Sequence, residues 1–253
     1  MTDLDICAAQ YCSAAGDLAA NIDRHIRFME FAASNGAGFL LFPELSLTGY
    51  EPSRAHDLAQ TPDTEVLQPL RELAERLAMT TVVGLLLRQS GSEAIMIGAW
   101  VFGADGSQAV YTKQHLHPGE EVVFSAGWGG AMLNIGSERV ALSVCADFTH
   151  ASHVRTAAIE GAGVYATGVL ISESGYARDS DLLRRHAKEH SLGVLMANHG
   201  GPSGGWACAG RSAFWSPGGS LVASATGTGD CLVIARRRQG EWQGLIVDCP
   251  VTE

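Results

Sequence analysis

Basic residues are scarce. Lys and Arg number 17 against 27 Asp and Glu in 253 residues, a formal net charge of −10. That shortage argues against a nucleic-acid backbone or an anionic membrane as the main partner. Charged residues make up only 17% of the chain and hydrophobic ones 46%, which argues against a disordered chain and for a compact globular one. Cysteine is sparse and unpaired in pattern. Cys7, Cys12, Cys145, Cys208, Cys231 and Cys249 show no CxxC spacing and lack the density of a disulfide scaffold. Most fall in apolar segments, where buried free thiols in a reducing, cytoplasmic setting are expected. No apolar run is long enough to span a bilayer, and the first ten residues lack the basic and apolar regions of a signal peptide. Also missing are HExxH, a GxSxG serine elbow, and a third glycine after Gly227-Thr228-Gly229, so a dinucleotide site has no support. No linker, charge block or internal repeat divides the chain, and one domain over 1–253 is expected.

What is present is an alternation of strand and helix patterns, which predicts α/β layers. Residues 4–11 read as a strand. Leu18, Ile22, Ile26, Met29 and Ala33 lie at helical spacing within 17–35, and Asn35-Gly36 supplies the stop. A short buried strand over 38–42 follows. A helix is predicted over 63–79, with Pro69 either interrupting it or marking its true first turn. Strands over 80–88, 94–102 and 109–112 come next, the last two joined by a turn at Ala104-Asp105-Gly106-Ser107. Strands at 132–135 and 139–144, a helix over 152–162, a strand at 164–171, a helix over 179–190 and a strand at 194–197 continue the pattern. Short strands at 212–215, 220–225, 230–235 and 242–247 close it.

Three polar residues end or follow such strands, which is how a fold delivers separate side chains to one rim of a sheet. Glu44 sits in Phe42-Pro43-Glu44-Leu45, Lys113 in Tyr111-Thr112-Lys113-Gln114, and Cys145 follows the apolar run over 139–144. A thiol, an amine and a carboxylate gathered there suit covalent acyl chemistry. Cys145 at a strand end before a helix is expected to have its pKa lowered by exposed amides and the helix's positive end; otherwise it is a buried structural thiol. Glu44 is either a general base with a pKa raised by desolvation, or a loop cap or partner of an arginine. Lys113 is a solvated surface residue unless a nucleophile stands beside it. His115, His117, His150 and His153, with Cys145, offer donors for zinc, but at no zinc-like spacing, so no metal is assigned. The glycine-rich segment Gly200-Gly201-Pro202-Ser203-Gly204-Gly205 is expected beside a pocket, with Trp206 and Trp215 as apolar walls or core residues, and Arg178 or Arg211 as a local positive charge.

These segments resemble the nitrilase, or carbon–nitrogen hydrolase, superfamily, over nearly the whole chain. FPELSLTGY is similar to the family's catalytic-glutamate segment, which carries over to Glu44. YTKQHLHPGEEVVFSAG is similar to the lysine segment, giving Lys113 and, seven residues on, the second glutamate, Glu120. VALSVCAD is similar to the nucleophile segment, giving Cys145, and VLMANHGG and GRSAFWSPGGSLVASA resemble later segments beside the pocket. One departure is plain. Many members carry Arg-Phe-Pro-Glu soon after the Cys-x-Asp, and here the positions are Thr149, His150, Ala151 and Ser152, so no substrate is carried over.

The resemblance implies a four-layer α-β-β-α sandwich and amide hydrolysis with neither metal nor cofactor. Cys145 attacks the carbonyl, Lys113 and the Ala146 N–H hold the oxyanion, Glu44 moves the protons, and Glu120 positions Lys113, Glu44 or the substrate. Asn198 is expected at the substrate or oxyanion. A small, neutral or weakly charged primary amide is the expected substrate. Nitrile or N-carbamoyl hydrolysis and a catalytically silent binding protein are the alternatives. A homodimer or larger homo-oligomer is also implied.

Overall fold

Residues 80–87 and 95–102 are buried without interruption, which only strands covered on both faces achieve. The structure, a computed structural model, describes residues 3–89 and 91–249, so the domain expected over 1–253 extends beyond the described residues at both ends.

The chain begins with β1 (Leu4–Gln10), α1 (Leu18–Ser34) and β2 (Phe39–Leu41). A 3₁₀ turn and the short α2 (Ala55–Leu58) lead to α3 (Gln68–Arg76), β3 (Thr80–Arg88), β4 (Ile95–Phe102) and β5 (Gln108–Thr112). Next come β6 (Leu133–Ile135), β7 (Glu138–Val144), α4 (Ala151–Ile159), β8 (Val164–Val169), α5 (Tyr176–His190) and β9 (Gly193–Asn198). The last strands are β10 (Ala213–Trp215), β11 (Leu221–Ser224), β12 (Cys231–Arg238) and β13 (Glu241–Asp248). One sheet runs β13-β12-β1-β2-β3-β4-β5 and the other β11-β10-β9-β8-β7-β6. Each has a parallel trio at its centre, β1-β2-β3 and β7-β8-β9, with antiparallel strands outside it.

Three apolar cores stack the layers. Ile6, Leu41 and Val82 of the first sheet meet Leu142, Ala166 and Phe214 of the second. On the outer face of the first sheet, Phe28 and Met29 of α1 and Leu70 and Leu73 of α3 pack with Val83 and Trp100. On the outer face of the second, Val154 of α4 and Leu183 and Ala187 of α5 pack with Tyr165, Val194 and Met196. This is the four-layer α-β-β-α sandwich that the resemblance implies.

Several expectations need correction. The helix over 63–79 is shorter: 63–67 are turns, and Pro69 falls in the first turn of α3, where its missing N–H breaks no helical bond. In α1 the inward face carries Asn21 and His25, while Leu18, Ile26 and Ala33 are only partly buried. Burying polar groups requires partners, and the Asn21 amide donates to Leu47 O at 2.9 Å and Ala14 O at 2.8 Å. Of the two readings open for Trp215, the core one holds: it lies in the outer core of the second sheet and is not in the lining of the cavity described below. β12 runs three residues past the predicted 230–235, because its backbone stays paired with β1 through Arg237 and with β13 through Arg238.

Two glycines position the carboxylate segment that runs between the sheets. A Cβ on Gly84 of β3 would lie 2.3 Å from Leu45 N and 2.4 Å from Pro43 O. One on Gly168 of β8 would lie 2.7 Å from Phe42 O and 3.1 Å from Glu44 N. The 42–45 backbone passes where only bare Cα atoms leave room.

Candidate active site

Glu44, Lys113 and Cys145 arrive on three loops that leave the same rim of the sandwich. Glu44 follows β2, Lys113 follows β5, and Cys145 follows β7 as the first residue of a 3₁₀ turn over Cys145–Thr149. Leu45 and Cys145 take left-handed φ values of 51° and 43°. Such backbone is uncommon outside glycine and is held by its surroundings.

The ammonium of Lys113 is fully buried and is shared by two carboxylates. It donates to Glu44 Oε1 at 2.7 Å and to Glu120 at 3.0 Å (Oε1) and 2.8 Å (Oε2). Glu120 also accepts from the His117 N–H at 2.8 Å and the Tyr50 hydroxyl at 3.3 Å. Two carboxylates around one ammonium leave a surplus of negative charge inside the protein, which a buried site resists. The protonation states answer that surplus. Burial raises the Glu44 carboxyl above its ordinary pKa, Lys113 opposes the rise, and Glu120 adds to it. For Lys113, burial disfavours the ammonium, but Glu44, Cys145 and Glu120 outweigh burial and the net shift is upward.

Cys145 is partly exposed to a cavity of about 500 Å³ whose lining also includes Glu44, Glu120 and Ala146. Its Sγ lies 3.8 Å from Leu170 O. The expectation of a lowered thiol pKa is overturned. Burial and then the Glu44 carboxylate push the thiol well above its ordinary value, against the pull of Lys113. The five-residue 3₁₀ turn supplies too little aligned backbone to reverse this. The Glu44 carboxyl lies in hydrogen-bonding reach of the Cys145 thiol.

The structure thus brings Glu44, Lys113, Glu120 and Cys145 together, with Ala146 beside them. Asn198 is not at the cavity. Its fully buried amide accepts from the Ile171 N–H at 2.9 Å and the His199 N–H at 3.0 Å, and donates to Ile171 O at 3.0 Å and Gly210 O at 2.9 Å. Those bonds occupy the amide in tying two loops together, which corrects the expectation of a substrate contact. Arg178 lines the cavity, whereas Arg211 pairs with Glu173 at 2.8 Å outside it. Trp206 lines the cavity as expected.

Sequence reading missed three supports. Asp147 is fully buried and accepts from the N–H groups of Val144 (3.1 Å), Gln114 (3.0 Å) and His115 (2.8 Å), from the His115 ring (3.1 Å), and from the Tyr111 hydroxyl (2.7 Å). Val144 precedes the thiol and Gln114 follows the lysine, so one carboxylate registers the two loops against each other. His199 donates from Nε2 to Glu44 O at 2.7 Å. His25 donates from Nδ1 to Asn21 O at 2.7 Å and accepts from Ser46 Oγ at 2.9 Å, while its ring stacks on Phe42. The Cys-x-Asp pattern was the visible signal for Asp147; the two histidines gave none.

The histidines weighed as metal donors have other occupations. His153 is bonded through both ring nitrogens to the Tyr111 and Tyr165 hydroxyls, and His115 stacks on His150 at 3.8 Å. Among the described residues no three His, Cys, Asp or Glu side chains gather as a metal would need. Nor is any helix among them long and apolar enough to cross a membrane.

Known proteins share this fold. The amidase NitN from Nesterenkonia sp. AN1 superposes with a TM-score of 0.84 at 26% identity, covering 93% of each chain. A mutant of that amidase, which carries acrylamide added at its active-site cysteine, gives a TM-score of 0.82 at 26% identity over 91% of this chain and 92% of that one. Nit3 of Saccharomyces cerevisiae, at 19% identity, shares the fold with a TM-score of 0.86 over 92% of this chain and 89% of its own. In sequence, a protein named nitrilase from Pyrococcus abyssi is 26% identical over 213 residues, 82% of this chain and 79% of that one. A glutamine-dependent NAD(+) synthetase from Thermotoga maritima is 25% identical over 249 residues, which span 90% of this chain but only 39% of the synthetase. The profile of the carbon–nitrogen hydrolase family matches residues 6–246, and the chain belongs to that family of hydrolases acting on non-peptide carbon–nitrogen bonds.

Proposed function

We propose that this protein hydrolyses a carboxamide to a carboxylic acid and ammonia through a thioester on Cys145. The observation that carries the reading is the buried Lys113 ammonium clamped between Glu44 and Glu120, with the Cys145 thiol beside it on one cavity. The reading is further supported by mutants of the Nesterenkonia sp. AN1 amidase, whose active-site cysteine carries acrylamide in one and the acetamide moiety of fluoroacetamide in another.

In the first half-reaction Cys145 Sγ bonds to the amide carbon while its proton passes to Glu44. The oxygen gains the negative charge and is met by the Lys113 ammonium and the Ala146 N–H. Glu44 then gives its proton to the nitrogen, the carbon–nitrogen bond breaks, and ammonia leaves. In the second half, Glu44 takes a proton from water as its oxygen attacks the thioester. The carbon–sulfur bond breaks, and the proton returns to the departing thiolate. A carboxyl with a raised pKa suits a group that must hold and release a proton in turn. Glu120 keeps the ammonium in place when Glu44 is protonated and no longer holds it by charge.

The test is a mass measurement on the intact protein, quenched in acid during turnover of a primary amide. A fraction of the molecules is expected to carry the mass of the acyl group alone, on Cys145, and Cys145→Ala is expected to carry none. An unmodified protein that still releases ammonia would sink the thioester. Ammonia from nitriles but from no amide would move the assignment to nitrile hydrolysis.

A further inference from the structure

Beyond the reacting groups the walls of the cavity are largely apolar. Tyr50, Leu116, Phe148, Leu170, Ile171 and Trp206 line it. All six are apolar or aromatic. The fixed charges on the remaining walls are Arg178 and Asp179, and they compensate each other: Arg178 Nε donates to Asp179 Oδ1 at 2.8 Å. His117 and His150 add polar rings, and Thr149 and Ser172 add hydroxyls that are already engaged, with Ala146 O at 2.7 Å and Ser174 Oγ at 3.1 Å. A carboxylate on the substrate would therefore have to compete with Asp179 for its only fixed counter-charge in the lining. It would also bring a further negative charge towards the Glu44–Glu120 pair, which is unfavourable in a poorly solvated site.

Size and exposure point the same way. A volume of about 500 Å³ lies in the range of pockets that enclose ligands well beyond a few atoms, ~300–1,000 Å³. Trp206 is 50% exposed although it lies on the cavity wall. Its backbone is fixed by reciprocal hydrogen bonds with Ser203, at 2.9 Å and 3.2 Å, and the Ser203 hydroxyl accepts from the Tyr50 N–H at 3.0 Å. A half-exposed indole on a held backbone is a surface that an apolar acyl group would cover favourably.

We infer that the site selects uncharged primary amides whose acyl group is apolar and longer than four carbons, with Trp206 as the wall that reads its far end. This rests on the amide-hydrolase reading above. Nothing polar is asked of the acyl group beyond the carbonyl, and each methylene that leaves water strengthens binding in the transition state.

The test measures ammonia release from acetamide, butyramide, hexanamide, 3-phenylpropanamide and the anion succinamate with the intact protein and with Trp206→Ala. kcat/KM is expected to climb roughly fourfold per methylene from acetamide to hexanamide. 3-Phenylpropanamide should exceed butyramide, and succinamate should fall at least about tenfold below butyramide. Trp206→Ala should shrink the hexanamide-to-acetamide ratio by roughly tenfold. A series that is flat or best at acetamide or succinamate overturns the inference and leaves amide hydrolysis standing, as does an unchanged ratio in the variant. Silence on every amide overturns both.

Discussion

At the scale of single residues, the site is a problem in charge placement. Lys113 is completely buried between two carboxylates, and no member of that cluster has an independent role. Glu44→Gln and Lys113→Ala are each expected to lower kcat by several orders of magnitude. The double variant should lose little more than the worse single one, because members of one catalytic unit are not additive. Steady-state kinetics on the three variants checks this, and a double loss equal to the product would mean independent roles. Asp147 acts through others. Asp147→Asn turns an NH₂ group towards a nest of N–H donors and should destabilise the fold by about 3 kcal/mol, measured by urea midpoint. Alkylation of Cys145 by iodoacetamide should slow with it, since the turn loses its tie to the lysine loop; an unchanged rate would deny the positioning role.

At the scale of elements, the strands bring the groups close and the glycines within the strands let them in. Gly168→Ala on β8 would push a methyl against Phe42 O and Glu44 N. Overpacking of this kind costs about 1–3 kcal/mol. A shift of the glutamate by about 1 Å is expected to lower kcat by roughly a hundredfold. Thermal melts paired with rate measurements check it: a large rate loss with a modest change in Tm is the expected signature. The elements themselves were legible in the sequence where periodicity was strong. β3 falls on the predicted 80–88. The 3₁₀ turns were not legible. Cys145–Thr149 owes its shape to Asp147 and its five donors, which come largely from other parts of the chain.

At the scale of the whole molecule, buried neutral histidines tie stability to pH. Burial pushes the pKa of His25 down to about 3 and that of His199 down to about 4, from an ordinary value of about 6.5. Between those limits the unfolded chain takes up protons that the folded chain refuses, so stability rises with pH. It is expected to be lost as pH falls from about 6.5 towards 4, by up to about 1.4 kcal/mol per pH unit for each histidine. Urea midpoints at pH 7, 6 and 5 should fall in step, and His25→Gln should flatten the slope. A slope equal in both proteins would show that His25 is not the coupled group.

The sequence by itself determined the layers. Hydrophobic periodicity sets which segments are strands and which are helices. It also places Glu44, Lys113 and Cys145 at element ends, because a side chain must leave the apolar interior of a strand to reach a rim. Tertiary structure alone decided the rest. The thiol pKa rises where local helix reasoning lowers it, because burial and the Glu44 charge come from segments far away in sequence. Asn198 turns from the cavity because Ile171 and Gly210 use its whole amide. His25 and His199 become supports of the glutamate loop because two sheets stack over it. Desolvation, hydrogen-bond saturation and backbone clearance depend on what surrounds a residue from every side, and a linear pattern specifies only its neighbours along the chain.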